Sequence, residues 1–232
     1  MAPSNDKYFA HEKPLTYDQA ILQRVPNYEG LHQAALAMLE AQLKWQARVL
    51  VAGSGTGREL LQYSQAHPDW SLVGVDPSQS MLAVATEKLS QAGLAGHVVL
   101  RQGKVDSLAP APAFDAAVCL LVSHFLKDNG EKLELFKSIA QRLKPGAPLL
   151  TADQLGDPGS PSWDLAMRAW ERMQVNQGMG AEEAAARVSR TTDHIHYVSQ
   201  ARYLALLAEA GFTEPQCFWR GLHFEGWMAR KA

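Results

Sequence analysis

Little in this chain points to an oxidising compartment, a membrane or a polyanion. Only two of its 232 residues are cysteine, Cys119 and Cys217. Cys119 lies inside an apolar run, where a small buried thiol is expected rather than a bridge. No apolar stretch approaches the roughly 20 residues that a spanning helix needs. The opening "MAPSNDKYFAHEKP" has neither the basic nor the apolar region of a secretory signal. Lysine and arginine number 22 against 24 acids, a formal charge of −2, and they are scattered, so no stripe suited to a phosphate backbone is visible. There is no internal repeat, and low complexity is limited to "LAPAPAF". These absences set the expectation of a soluble, cytoplasmic protein, monomer or homodimer, with no nucleic acid and no membrane as partner.

What is present is a large core: 47% of the residues are hydrophobic, enough for one domain with an insertion. From Tyr28 to Leu43, apolar residues recur on one helical face. Apolar runs at Arg48 to Val51, Leu72 to Val75, His97 to Leu100, Ala116 to Val122 and Pro148 to Ala152 read as strands. Helical spacing fills the gaps, at Arg58 to Ala66, Ser78 to Ser90 and Glu131 to Leu143. Strands that are apolar throughout and alternate with helices imply a parallel sheet covered on both faces.

After Asp153 the alternation breaks. A turn-rich linker, "QLGDPGSPSW", leads to a helical stretch over Trp163 to Arg187, interrupted near "NQGMG". Ser199 to Ala210 is a helix closed by Gly211, and "TEPQCFW" and "HFEGWMARK" follow with only a tight turn around Gly221 between them. So short a link permits only an antiparallel pair. The expected fold is therefore α/β and Rossmann-like: a seven-stranded, mostly parallel sheet with a C-terminal antiparallel hairpin, helices on both faces and a helical insertion after the fifth strand. Residues 1–232 are read as a single domain, with an N-terminal arm and helix (1–44), a cofactor-binding core (45–153), the insertion (154–198) and the last helix with the hairpin (199–232).

The segment "VLVAGSGTGREL" puts Gly53, Gly55 and Gly57 in the turn between the first strand and its helix. Ligands of open α/β sheets bind at such strand ends, glycine lets a ligand approach the backbone, and free N–H groups at a helix start attract polar groups. The next strand ends in "VGVDPSQSML", which places Asp76 nineteen residues after Gly57, where a carboxylate can take the two hydroxyls of a ribose. Dinucleotides and S-adenosylmethionine share this logic. The dinucleotide fingerprint wants a third glycine where this chain has Arg58, which disfavours NAD.

With the antiparallel ending, these motifs make the chain resemble the class I S-adenosylmethionine-dependent methyltransferases, closely over about residues 45–153. "VLVAGSGTG", "VGVDPSQSML", "LRQGKVDSL", "FDAAVCLLVSHF" and "IAQRLKPGAPLL" are similar to the family's successive motifs. The resemblance implies S-adenosyl-L-methionine as cofactor. It would place Gly53, Ser54, Gly55 and Gly57 under the methionine part, Asp76 on the ribose, and Pro77 to Gln79 beside the adenine. Lys104 and Val105 would meet the adenine edge, and Leu120, Leu121 and Val122 would end the floor. The family commonly carries acids at the positions of Val51 and Lys104, so here those polar contacts are expected from backbone or water.

A narrower likeness runs through "ILQRVPNY" and "ARYLALLAEAGFTEPQCFW", which resemble the carboxy-S-adenosylmethionine synthases of tRNA wobble-uridine modification. It implies a cofactor contact for Tyr28. The arginine those enzymes use for the extra carboxylate has only near matches in Arg187 and Arg190, and their asparagine near the end of the fourth strand is replaced by apolar residues.

Methyl transfer from a sulfonium needs alignment and exclusion of water, and a base only when the acceptor has a proton to lose. His124, just past the fourth strand, is the candidate base; the competing reading is a histidine bonded to a neighbouring loop. His194 and His196 would share one face of a strand, but no third ligand accompanies them, and of the clustered acids of metal-dependent relatives only Asp153 is in place, so no metal is expected. Trp163 and Trp170, seven apart, suit a helical core face as well as a pocket wall. Tyr8, Phe9 and Tyr17 precede the first helix, where the family often folds a lid. Asp128 and Glu131 read as helix-start acids. The expected activity is methyl transfer to a small-molecule acceptor, with a carboxy-S-adenosylmethionine synthase, a non-catalytic binder and an NAD(P)-dependent reductase as alternatives.

Overall fold

In the computed structural model, residues 14–232 are described. Five strands, β1 (Arg48–Ala52), β2 (Ser71–Asp76), β3 (Val98–Gln102), β4 (Ala116–Leu120) and β5 (Pro148–Gln154), run parallel. β6 (Phe212–Gly221) and β7 (Phe224–Lys231) form the terminal hairpin, with β7 antiparallel to both β5 and β6. The order across the sheet is β3-β2-β1-β4-β5-β7-β6. It reverses between β1 and β4, and the crevice at that reversal, above the carboxyl ends of the strands, is where such sheets take ligands.

Eight helices are described: α1 (Pro14–Arg24), α2 (Tyr28–Glu40), α3 (Arg58–Ala66), α4 (Gln79–Gln91), α5 (Glu131–Ala140), α6 (Pro161–Asn176), α7 (Ala181–His194) and α8 (Gln200–Glu209). The period of two along a strand sends alternate residues to opposite faces. Val49 and Val51 join Leu31 and Leu39 of α2, Leu60 and Tyr63 of α3 and Trp170 of α6 on one side. Leu50 and Ala52 join Phe136 and Ile139 of α5 and Tyr203 and Leu206 of α8 on the other. Burying both faces this way is why the strands lack polar alternation.

Three sequence expectations need correction. The fourth strand ends at Leu120, not Val122, because Leu121 turns into the left-handed region with φ 59°. The insertion is two separate helices, and the second runs on to His194, with Thr191 and Thr192 donating their hydroxyls to the carbonyls of Arg187 and Ser189 in its last turns. His194 therefore ends a helix and His196 lies in the connection to α8, so the two do not share a strand face. Tyr8 and Phe9 lie outside the described residues.

Candidate active site

The glycine turn is tied to the end of β2 by its backbone. The N–H groups of Gly53 and Ser54 both donate to the Val75 carbonyl, at 2.8 and 3.1 Å. All three glycines have positive φ, 72°, 48° and 81° at Gly53, Gly55 and Gly57, a region that favours glycine. Their surroundings differ. A Cβ on Gly53 would stand 2.4 Å from Val122 Cγ2 and one on Gly57 2.9 Å from Ala85 Cβ, whereas at Gly55 nothing lies within 4 Å. Packing requires the outer two glycines; the central one opens onto free space.

Asp76 ends β2 with its carboxylate held by two backbone amides. Oδ2 accepts from Gly55 N–H and Oδ1 from Ser78 N–H, each at 2.8 Å. Ser78 then caps α4 through Met81 N–H. Gly103 N–H donates to the Asp76 carbonyl at 3.0 Å, which brings the ends of β2 and β3 together. The exposed Pro77, Gln79 and Lys104 and the buried Val105 thus share one rim with Asp76. Ser54 turns inward, buried beside Gly74, so it offers the site its backbone and not its hydroxyl. Helix α1 is anchored over this turn: Asp18 accepts from Thr56 Oγ1 at 2.6 Å and pairs with Lys88 of α4.

At the end of β4, Leu120 is buried and Leu121 donates its N–H to the Ala152 carbonyl at 2.6 Å. A branched residue at positive φ stores strain of a kind that collects at functional sites. The chain then enters a short 3₁₀ turn, Ser123–Phe125, over the end of β5. There Asp153, 1% exposed, gathers the neighbourhood. Its carboxylate accepts from the Ser123 hydroxyl, from His124 N–H at 3.1 Å and from the Tyr203 hydroxyl at 3.0 Å. His124 Nδ1 stands 2.7 Å from Asp153 Oδ1, at ion-pair distance but off the line of a well-directed hydrogen bond. Burial pushes the Asp153 pKa up, yet His124, Lys132 and Ser123 outweigh it and hold the group below its ordinary value. The buried Lys132 supports the turn by donating to the Ser123 carbonyl at 2.6 Å. The carboxylate stands on the Nδ1 side of the ring, with Nε2 on the other side.

His124 lines a cavity of about 30 Å³. Leu121, Gln154 of β5, Trp170 of α6, Ile195 after α7 and Tyr17 of α1 also face it. Trp170 is pinned across it, its indole N–H donating to the Arg24 carbonyl at 2.6 Å. So Trp170 is both core and wall, while Trp163 packs edge-on against Tyr197 at 4.4 Å. Arg187 pairs with Glu183 on its own helix, and neither it nor Arg190 lines this cavity.

Sequence reasoning missed a second buried polar group beneath the glycine turn. Glu59, the second residue of α3, lies 3.7 Å from His32 Nδ1 of α2, and both are buried. Burial raises the Glu59 pKa to about 7 and lowers that of His32 to about 3. Tyr28 stands edge-on to His32 at 4.3 Å, so the tyrosine expected at the cofactor belongs to this cluster as well. A carboxylate in the apolar face of a helix was the available signal. Asp128 also does more than start a helix: it forms a two-pronged pair with Arg202, at 2.8 and 2.9 Å.

Residues 50–149 match the family described as the methyltransferase domain. Over 178 residues the chain is 27% identical to the ubiquinone/menaquinone biosynthesis C-methyltransferase UbiE of Syntrophotalea carbinolica, covering 76% of this chain and 73% of that one. Over residues 50–149 the chain carries a methyltransferase domain, and it is similar to methyltransferases over most of its length. The chain is also 23% identical over 216 residues to the carboxy-S-adenosyl-L-methionine synthase of Campylobacter hominis, covering 93% and 90% of the two chains. Its fold is shared by human N-acetylserotonin methyltransferase, solved in complex with S-adenosylmethionine, with a TM-score of 0.66 at 19% identity, over 100% of this chain and 60% of that one. S-Adenosylmethionine is the molecule bound in that human structure. The turn suits it: an open backbone face at Gly55 beside a carboxylate fixed by two amides. Among the described residues no group of three or more His, Cys, Asp or Glu could hold a metal ion, and no helix is long and apolar enough to cross a membrane.

Proposed function

We propose that this chain methylates a hydroxyl of a small-molecule acceptor bound in the cavity beside His124, with His124 as general base and Asp153 as the group that orients it. The observation that carries the reading is the buried Asp153–His124 pair at the end of β4, with Nδ1 2.7 Å from the carboxylate and the ring lining the cavity. When bound, S-adenosylmethionine would supply an electrophilic methyl carbon on a sulfonium: the acceptor oxygen would form the new C–O bond as the S–CH3 bond breaks, with S-adenosylhomocysteine as the leaving thioether. Gly53, Gly55 and Gly57 would lie beneath its methionine part, Asp76 would hold the ribose, and Pro77, Gln79, Lys104 and Val105 would flank the adenine. Tyr28, Leu120 and Leu121 would close the floor.

Within that frame, His124 Nε2 takes the acceptor's proton while Asp153 stabilises the resulting imidazolium. General-base assistance of this kind is worth about 10²- to 10⁴-fold. Residues of α1 and the segment after α7 wall the cavity, over the acceptor. The same elements exclude water, which strengthens the Asp153–His124 pair. The test is release of S-adenosylhomocysteine from S-adenosylmethionine in the presence of a panel of hydroxylated small molecules. His124→Ala is expected to lower kcat by at least about 100-fold and Asp153→Asn to do the same, with S-adenosylhomocysteine bound as tightly as by the parent. Parent-like turnover of His124→Ala with an active acceptor would refute the base role.

A further inference from the structure

We infer that Gln154 is the specificity residue of the acceptor cavity, and that the acceptor carries a second oxygen, a carbonyl or carboxylate, which the Gln154 amide N–H groups recognise. This rests on the cavity being the acceptor site.

The inference begins with the fixed orientation of the side chain. Gln154 is the last residue of β5, 6% exposed, and lines the cavity that His124 faces. Its carbonyl Oε1 is occupied twice: the Tyr197 hydroxyl donates to it at 3.3 Å and His223 Nε2 approaches it at 3.1 Å. A carbonyl oxygen only accepts, so His223 must carry its proton on Nε2. The histidine's surroundings agree. His223 Nδ1 is buried with no hydrogen-bond partner, and burial lowers the ring's pKa to about 3. A neutral ring with a single proton therefore commits that proton to Gln154.

Two donors on one oxygen turn the other end of the amide away from them. Among the described residues Gln154 Nε2 donates no hydrogen bond, it is not one of the fully enclosed unpartnered atoms, and the residue lines the cavity. A nearly buried –NH₂ with two donors and no acceptor is costly unless a ligand or water completes it. As the general base, His124 presents its Nε2 as an acceptor to the same space. The cavity thus offers one acceptor and a pair of donors between the rings of Tyr17, Phe125, Trp170 and Phe224. The complementary molecule is flat and apolar in its body, with a hydroxyl for His124 and an oxygen acceptor for Gln154.

The experiment compares matched probes on the full chain saturated with S-adenosylhomocysteine. Meta and para hydroxyacetophenones are titrated against ethylphenols of the same substitution, which replace the carbonyl by CH₂; the corresponding hydroxybenzoates separate a carboxylate from a neutral carbonyl. The expected result is that carbonyl or carboxylate probes bind roughly tenfold more tightly than their ethyl counterparts. Gln154→Leu should abolish that preference, and Tyr197→Phe, which frees one of the two holds on the amide, should weaken it. S-Adenosylhomocysteine affinity should stay unchanged in both variants. Equal binding within each matched pair, no binding of any probe, or an undiminished preference in a folded Gln154→Leu would overturn the assignment. If S-adenosylhomocysteine itself fails to bind the parent, the cofactor site and the inference fall together, which separates that failure from the others.

Discussion

Replacing Glu59 by glutamine removes one ionisable group from the packing between α2 and α3 and changes little else in shape. Glu59 is buried against His32, with Tyr28, Tyr63, Asp18, Arg58 and Lys88 around it, and burial lifts its pKa from 4.5 to about 7. In the unfolded chain the proton leaves near 4.5; in the folded chain it is kept until about 7. Raising the pH between those values therefore costs stability, and the full cost, reached above pH 7, is about 3 kcal/mol. Below pH 4.5 both states are protonated and the cost vanishes. The Glu59→Gln variant has no such proton, so the difference between variant and parent isolates this one group. Urea unfolding at pH 5, 6, 7 and 8 should find the variant stabilised relative to the parent by an amount that grows with pH, to about 1–3 kcal/mol at pH 8. A difference that stays constant from pH 5 to 8, or a parent more stable at pH 8, would refute the reasoning.

The histidines act in the opposite direction. His32 and His223 have pKa values lowered from 6.5 to about 3 by burial, so each withholds stability as pH falls below 6.5, by about 3 kcal/mol at pH 4; His32→Gln should move the acid-unfolding midpoint to lower pH. The glycines of the turn should separate fold from ligand. Gly53→Ala places a Cβ against Val122 at positive φ and should cost about 2–4 kcal/mol in thermal unfolding. Gly55→Ala meets no atom and should cost only about 1 kcal/mol while weakening S-adenosylhomocysteine in calorimetry; parent-like binding by it would move the cofactor off that face.

Much of the fold was legible because its signals are local. Apolar strands with intervening helical spacing fix a parallel sheet, and the short link before the last strand fixes the antiparallel end. The glycine turn and Asp76 could be read from spacing alone, since each ends an adjacent strand. What escaped depends on contacts between distant segments. Nothing near His124 announces Asp153, 29 residues on, as its partner, and nothing near Gln154 shows that Tyr197 and His223 turn its amide. Leu121 has no propensity for the left-handed region, so the strand it interrupts was read as continuous. Glu59 was legible in principle, as a carboxylate on a buried helical face, but only the packing of α2 shows its histidine.

Titration calorimetry of S-adenosylhomocysteine with the parent and Asp76→Ala tests the account most directly. The carboxylate that two amides hold at the end of β2 should grip the ribose through charge-assisted bonds worth about 1.5–3 kcal/mol. The predicted result is saturable binding to the parent and a ten- to hundredfold higher Kd in a folded Asp76→Ala. Equal affinity in the two proteins, or none in the parent, would contradict it.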